Sequence, residues 1–294
     1  MASVRTVEQT LTLATTKLAG QIGSQDGAME ARLLLQQVLG VNRASLIAHP
    51  NDALQTNRDA EFQALLRRRL AGEPIAYLIQ SREFYGLPLR VTPATLIPRP
   101  DSESLVDAAL EKIPDPSAAP FTVLDLGTGT GAIALAIAHN RPQARVLAVD
   151  ASDAALAVAK QNADNLNIRN VQFSPSDWYA GVADQRFDII VSNPPYIAQD
   201  DPHLSQGDLR FEPMSALASG VDGLDDIRRI IEQSLLHLNP QGWLMLEHGY
   251  DQAVAVADLM AQAGLIDIAT RQDLGKHDRV TLGKNPLIVS RHWD

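Results

Sequence analysis

The hydrophobic positions of this chain change period once. Up to about residue 75 they recur every three or four residues. Val7, Leu11, Ala14 and Leu18 make one apolar face, and Met29, Leu33, Val38 and Leu39 make a second. That spacing predicts amphipathic helices. Gly20 and Gly23 are expected to end the first helix, Asp26 to cap the second and Gly40 to close it. At least one more helix is expected within 52–70, ending at Gly72-Glu73-Pro74. No strand-period segment interrupts this region, which predicts a small helical bundle.

Residues 83–97 differ. Phe84 to Val91 and Ala94 to Ile97 have the look of two short extended segments around a turn, a hairpin linker. Pro98 and Pro100 stop it, and Asp101 or Ser102 is expected to cap a helix running to Ile113. A proline-rich loop follows at 114–120. Beyond it, apolar runs predict strands at 121–126, 145–149, 170–174, 187–192, 242–247, about 266–271 and near 279–283. Helices are expected at 130–140, 153–166, 223–238 and 250–263. Buried strands alternating with helices imply an α/β fold, a mostly parallel sheet covered on both faces. The expected division is a helical domain over 1–80, a hairpin linker over 81–100 and the α/β domain over 101–294.

Composition narrows the chemistry. The 294 residues are 45% hydrophobic and 20% charged, enough to bury a sizeable core. The net charge of −10 disfavours a phosphate backbone as partner, so no direct nucleic-acid contact is expected. There is no cysteine, which excludes disulfides, thiolate metal sites and cysteine nucleophiles. No apolar stretch reaches membrane-spanning length, and residues 1–20 lack the basic start and apolar block of a signal peptide. The expectation is a cytoplasmic protein without a membrane partner. His248 and His277 have no neighbours at ligand spacing, so no metal site is expected. Arg67-Arg68-Arg69 is expected to form a solvated helix face.

Two motifs carry the chemistry. Val123-Leu124-Asp125-Leu126 is a short buried strand, followed by Gly127-Thr128-Gly129-Thr130-Gly131 and a helix. Glycines allow a sharp turn with the backbone against a ligand, and the helix start offers free N–H groups. Asp150, nineteen residues after Gly131, ends the next strand, where a carboxylate can accept both ribose hydroxyls. The turn alone would serve a dehydrogenase dinucleotide equally well. Ser176-Asp177-Trp178 follows the third strand and can border an adenine ring; core packing is the plainer role for the tryptophan.

The second motif, Asn193-Pro194-Pro195-Tyr196, leaves the fourth strand on the same sheet edge. It combines an Asn amide, carbonyls on prolines that have no N–H, and an aromatic ring. Such a site suits a flat NH2 group. The Asn193 oxygen and the Pro194 carbonyl would accept its two N–H bonds, and Tyr196 would pack against it. With the glycine turn and Asp150, the motif points to methyl transfer from S-adenosylmethionine to a planar nitrogen, driven mainly by positioning. A proline turn leaving a strand is the bland alternative.

Around these motifs the chain resembles the release-factor glutamine methyltransferases, the HemK/PrmC-type enzymes. The likeness is carried by Glu73-Pro74-Ile75-Ala76-Tyr77, Leu96-Ile97-Pro98-Arg99-Pro100-Asp101-Ser102-Glu103, the glycine turn and Ser192-Asn193-Pro194-Pro195-Tyr196-Ile197. Arg210-Phe211-Glu212-Pro213, Asp222-Gly223-Leu224 and Leu246-Glu247-His248-Gly249 extend it. The resemblance implies a Rossmann-like seven-stranded methyltransferase domain whose helical N-terminal domain helps dock the partner. It implies S-adenosylmethionine as cofactor, contacted by Gly127, Thr128, Gly129, Thr130, Gly131, Asp150, Trp178 and Asn193. The partner would be a class 1 peptide chain release factor, its Gly-Gly-Gln glutamine held by Asn193, Pro194, Pro195 and Tyr196 and converted to N5-methylglutamine. Asn193, Pro194 and Tyr196 would carry the catalysis. Ser102 stands where the family commonly has Thr, and Gln80 where it often has Gly. Glu212, Glu247, Arg99 and Phe84 are expected near the pocket. Three other functions compete: an adenine amino-methyltransferase on nucleic acid, a non-catalytic nucleotide-binding or docking module, and a nicotinamide dehydrogenase.

Overall fold

The computed structural model describes residues 4–114, 121–182 and 184–287. The chain divides into two compact units, one ending at Ser81 and the other beginning at Arg82.

The first unit is helical: α1 Val7–Ile22, α2 Ser24–Leu39, α3 Arg43–Ala48, α4 Thr56–Leu70 and α5 Ile75–Ile79. Thr6 and Gln9 start α1 with a reciprocal capping box. Gly20 lies inside α1 and does not end it; Gly23 does, at φ 85°. The second helix begins at once after Gly23, so Asp26 falls in its first turn and not at its cap. There its charge still complements the positive end of the helix. Gly40 closes α2 in the left-handed region, as expected. Leu18, Leu34, Leu35, Phe62 and Leu66 are fully buried between these helices. The arginine run is only partly a solvated face. Arg69 makes a two-pronged ion pair with the nearly buried Glu30, at 2.6 and 3.1 Å, tying α4 to α2. The short helices α3 and α5 were not expected, because six and five residues are too few to display a helical period.

Gln80 caps α5 in the left-handed conformation, φ 55° and ψ 29°. A glycine there would adopt it without strain. Replacing Gln80 by Gly is expected to stabilise the protein by about 0.5–1 kcal/mol, the left-handed penalty less the extra entropy glycine loses on folding. Equilibrium urea unfolding checks this; a lower midpoint would contradict it.

A hairpin follows, β1 Ser81–Phe84 and β2 Leu87–Arg90, joined by Tyr85 and Gly86, both at positive φ. A two-residue turn of that kind matches the strand twist. The hairpin therefore lies earlier than expected, and 94–97 is not its second strand. A 3-10 turn, Pro100–Ser102, leads into α6 Glu103–Lys112. Neither Asp101 nor Ser102 caps this helix with its side chain.

Next come β3 Thr122–Leu126, α7 Ala132–Asn140, β4 Arg145–Asp150, α8 Asp153–Asn165, β5 Val171–Pro175 and β6 Phe187–Ser192. They are followed by α9 Asp225–His237, β7 Leu238–Glu247, α10 Ala253–Gln262, β8 Ile266–Gln272 and β9 Asp278–Lys284. Every strand and helix expected beyond residue 121 is present, with small shifts at the ends. The main displacement is at β7, which starts four residues early. Of the expected loop at 114–120, all but Pro114 lies outside the described residues.

The seven strands run in the order β5-β4-β3-β6-β7-β9-β8, parallel except for β9, which is antiparallel to both neighbours. Alternate residues feed two cores. Val123, Ile189, Val191 and Met245 pack with α6 and α7 on one face. Leu124, Leu126, Ile190, Leu244 and Leu246 pack with α9 and α10 on the other. Each such buried side chain contributes roughly 1.5–3 kcal/mol. The order of strands reverses at β3 and β6, which lie side by side. Ligands of open α/β sheets bind at the carboxyl ends of such a pair.

Candidate active site

The loops leaving β3, β4, β5 and β6 enclose a cavity of about 750 Å³, the size of a small-molecule site. The glycine turn is its floor. Gly127, Gly129 and Gly131 all have positive φ, open to glycine and strained for other residues. A Cβ on Gly129 would meet nothing, so there a ligand can approach the bare backbone. A Cβ on Gly131 would press on Leu135 and Ala159, at 3.1 and 3.2 Å. Gly131 thus serves helix packing and does not line the cavity, whereas Gly127, Thr128, Gly129 and Thr130 do.

Asp150 also lines the cavity. Its Oδ2 accepts the Gly129 N–H and its Oδ1 the Ser152 N–H, each at 2.8 Å. A carboxylate oxygen has two acceptor positions, so each retains one for a ligand. Below the turn lies Asp125, wholly buried. It accepts from the Thr128 hydroxyl at 2.6 Å, and burial pushes its carboxyl up to about 7.

Trp178 forms another wall. It stands at φ 48°, an unusual conformation for a large residue. Its indole N–H donates to Asp226 at 3.1 Å, and its carbonyl accepts from Ser176 at 2.6 Å. Asp226 in turn accepts from Ser219 at 2.7 Å. Asp226 and Arg229, both from α9, line the cavity and were missed in the sequence. No local pattern links them to Trp178, forty-eight residues away from Asp226.

Asn193 and Pro195 line the same cavity. The Asn193 amide nitrogen donates to Ser102 Oγ at 3.0 Å. No described residue donates to its oxygen. Pro194 is buried and, like Tyr196, stands outside the cavity lining. Tyr196 leans on the second core and reaches Glu247 at 3.4 Å. Burial and the nearby Glu247 raise its hydroxyl well above the usual tyrosine range, so it stays protonated. Glu247 is itself fully buried, its carboxyl pushed up to about 7 by burial and held back by Ser102 and Arg279.

Residues 9–79 match the family model described as PrmC N-terminal domain, and residues 105–208 that described as methyltransferase small domain. A release factor glutamine methyltransferase of Vibrio cholerae is 48% identical over 95% of this chain and 96% of its own length. Another from Xylella fastidiosa is 51% identical over 88% and 93%, and one from Escherichia coli 48% over 89% and 93%. The chain belongs to the release factor glutamine methyltransferase family. As a member it is a methyltransferase that uses S-adenosylmethionine. A methyltransferase structure from Pyrococcus furiosus shares the fold, with a TM-score of 0.53 at 19% identity over 79% of this chain and all of that one.

The remaining wall of this methyltransferase's cavity joins two distant segments. Phe84, residues 93–96, Pro98 and Arg99 supply one side; Pro213, Ser215, Ala216 and Ala218 supply the other. Arg99 binds the buried Glu212 at 2.5 Å across them. Burial raises the Glu212 carboxyl, and Arg99 opposes that rise. His248 uses both ring nitrogens structurally, toward Gly249 and Thr281. Among the described residues no cluster could hold a metal ion, and no helix is long and apolar enough to cross a membrane.

Proposed function

We propose that the chain transfers the methyl group of S-adenosylmethionine to the side-chain amide nitrogen (N5) of the Gly-Gly-Gln glutamine of class 1 peptide chain release factors. The observation that carries this is the pairing of two polar groups in one cavity. The Asp150 carboxylate has unfilled acceptor positions, and the Asn193 oxygen has no donor among the described residues while its nitrogen is held by Ser102.

The cavity fits the cofactor. Asp150 would accept the ribose hydroxyls, the Gly127 to Thr130 backbone would lie against the ligand, and the Trp178 ring would border the adenine. Bound there, S-adenosylmethionine supplies a methyl carbon activated by its sulfonium. The chain's own residues do the rest by orientation. Asn193 Oδ1 accepts one N–H bond of the glutamine amide; the Pro194 carbonyl, though its residue does not line the cavity, would accept the other and so fix the plane. As positive charge grows on that nitrogen, both acceptors stabilise it more than they did the neutral amide. No strong base is needed, because a cationic N-alkylated amide is a strong acid. Tyr196, held protonated, is not a base here; it buttresses the loop. Residues of the helical unit would help dock the release factor.

The test is labelled methyl transfer into a class 1 release factor and into a variant in which the Gly-Gly-Gln glutamine is replaced by Ala. Label in the first and none in the second is expected. No label in either, from folded enzyme that binds S-adenosylmethionine, would overturn the proposal.

A further inference from the structure

Trp178 keeps its place in the cavity wall against two freedoms. Its backbone stands at φ 48°, and a residue in that region stays there only where its surroundings over-determine it. Its indole can also turn over about the Cβ–Cγ bond and exchange its two edges. The backbone is fixed within the loop. The Ser176 hydroxyl donates to the Trp178 carbonyl at 2.6 Å and accepts the Gly181 N–H at 2.8 Å. The ring is fixed from elsewhere. Its six-membered edge rests on Gly127, where an added Cβ would meet it at 3.3 Å. Its other edge donates the indole N–H to Asp226 Oδ1 at 3.1 Å. An indole N–H only donates and a carboxylate only accepts, so this bond selects one of the two ring orientations.

Asp226 is itself held. The buried Ser219 donates its hydroxyl to Asp226 Oδ2 at 2.7 Å and accepts the Asp226 N–H at 2.8 Å. That reciprocal pair aims Oδ1 at Trp178. Arg229 stands 3.8 Å from Asp226 and lies closer to Asp177, at 3.0 Å, so it adds little to the aim. Ser219 belongs to a segment bridged to the residue that follows the Asn193 to Tyr196 loop. The Ser219 N–H donates to the Ile197 carbonyl, and the Ile197 N–H to the Leu217 carbonyl, each at 2.9 Å.

We propose that Asp226 is a positioning residue for the cofactor, fixing the Trp178 ring over the glycine turn and hanging it from the segment that braces the Asn193 to Tyr196 loop. A ring already in place need not be ordered when S-adenosylmethionine enters, which strengthens binding. The same link carries the tightening of the cofactor wall to the other side of the cavity. Asp226 does this by geometry and not by attracting the sulfonium charge.

The proposal rests on the reading that Trp178 borders the cofactor, and every test can be made without release factor. The first is spectroscopic. The chain has three tryptophans, and the indole N–H signal lost in Trp178→Phe identifies this one. Its proton should exchange slowly in ligand-free enzyme, quickly in Asp226→Ala and slowly again in Asp226→Asn. The Asn side chain can accept from Trp178 with its oxygen and donate to Ser219 with its nitrogen. The second is calorimetric. Asp226→Ala should raise the Kd for S-adenosylmethionine about three- to tenfold, the cost of ordering one side chain on binding. Asp226→Asn should restore it, which a role in attracting positive charge would not allow. Trp178→Phe keeps a ring and loses the donor, so it should match Asp226→Ala, and the double variant should be no worse than the poorer single one. The third is hydrogen exchange. Neither Ile197 nor Ser219 lines the cavity, yet saturating cofactor should slow both amides in wild type and not in Asp226→Ala. Unchanged indole exchange in Asp226→Ala, an Asp226→Asn variant as weak as Asp226→Ala, multiplying losses in the double variant, or undiminished amide slowing in Asp226→Ala would each overturn the proposal. Trp178→Ala tells the two readings apart. Weakened binding there, with wild-type Kd in Asp226→Ala, removes only the role of Asp226; wild-type Kd in Trp178→Ala removes Trp178 from the cofactor site and Asp226 with it.

Discussion

Asn193→Ala should lower kcat for release-factor methylation about a hundred- to a thousandfold, the usual consequence of removing one preorganised polar group from a charge-developing transition state. The loss should fall on kcat because, in the proposed geometry, the Asn193 oxygen meets a partial positive charge that exists only as the methyl carbon bonds to nitrogen. Binding of S-adenosylmethionine should change no more than a fewfold, since the turn around Asp150 is held independently. Thr128 N–H donates to the Val149 carbonyl at 2.9 Å and Gly131 N–H to the Thr128 carbonyl at 2.8 Å, neither of which involves Asn193. Calorimetry and single-turnover kinetics on the same preparation separate the two quantities. Undiminished turnover would remove Asn193 from the reaction.

Asp150→Ala should do the opposite. Its carboxylate is proposed to hold two ribose hydroxyls through charge-assisted hydrogen bonds, each contributing about 1.5–3 kcal/mol. The Kd for S-adenosylmethionine should rise by at least about a hundredfold, while kcat at saturating cofactor stays within severalfold. Interactions remote from the reacting atoms bind ground and transition state alike. The variant also loses an acceptor for the Gly129 and Ser152 N–H groups, so part of the weakening will come from the relaxed turn. An unchanged Kd would eliminate the ribose assignment.

The α/β architecture was legible because its signals are local. Buried parallel strands are apolar runs, the helices between them keep a helical period, and the loops that bear ligands carry glycine or proline. Gly127 to Gly131, Asp150 and Asn193 all fall at the ends of such runs. What was hidden depends on contacts distant in sequence. Ser102 looked like a helix cap, because serine before a helix usually is one; only the fold reveals Asn193, ninety-one positions on, as its partner. Asp226 and Arg229 looked like ordinary polar residues of a helix. The hairpin was misplaced because Tyr85-Gly86 is a turn whose positive φ values no hydrophobic period announces. Glu247 was noticed for its place at a strand end, but its isolation from solvent is a property of packing.

The side-by-side placement of β3 and β6 has a mechanical consequence. Leu126 is registered opposite Ser192, and the Ser192 hydroxyl clamps the Leu126 carbonyl at 2.7 Å. The turn proposed to face the cofactor begins one residue after the first, and Asn193, proposed to hold the acceptor, comes one residue after the second. Adjacent strands are spaced about 4.8 Å apart, so the gap between donor and acceptor is gauged by the sheet itself and not by its loops. Such a gauge moves only in whole-residue steps, and each step turns every side chain of the strand to the opposite face. The peripheral loops and the helical unit can therefore change without altering that spacing.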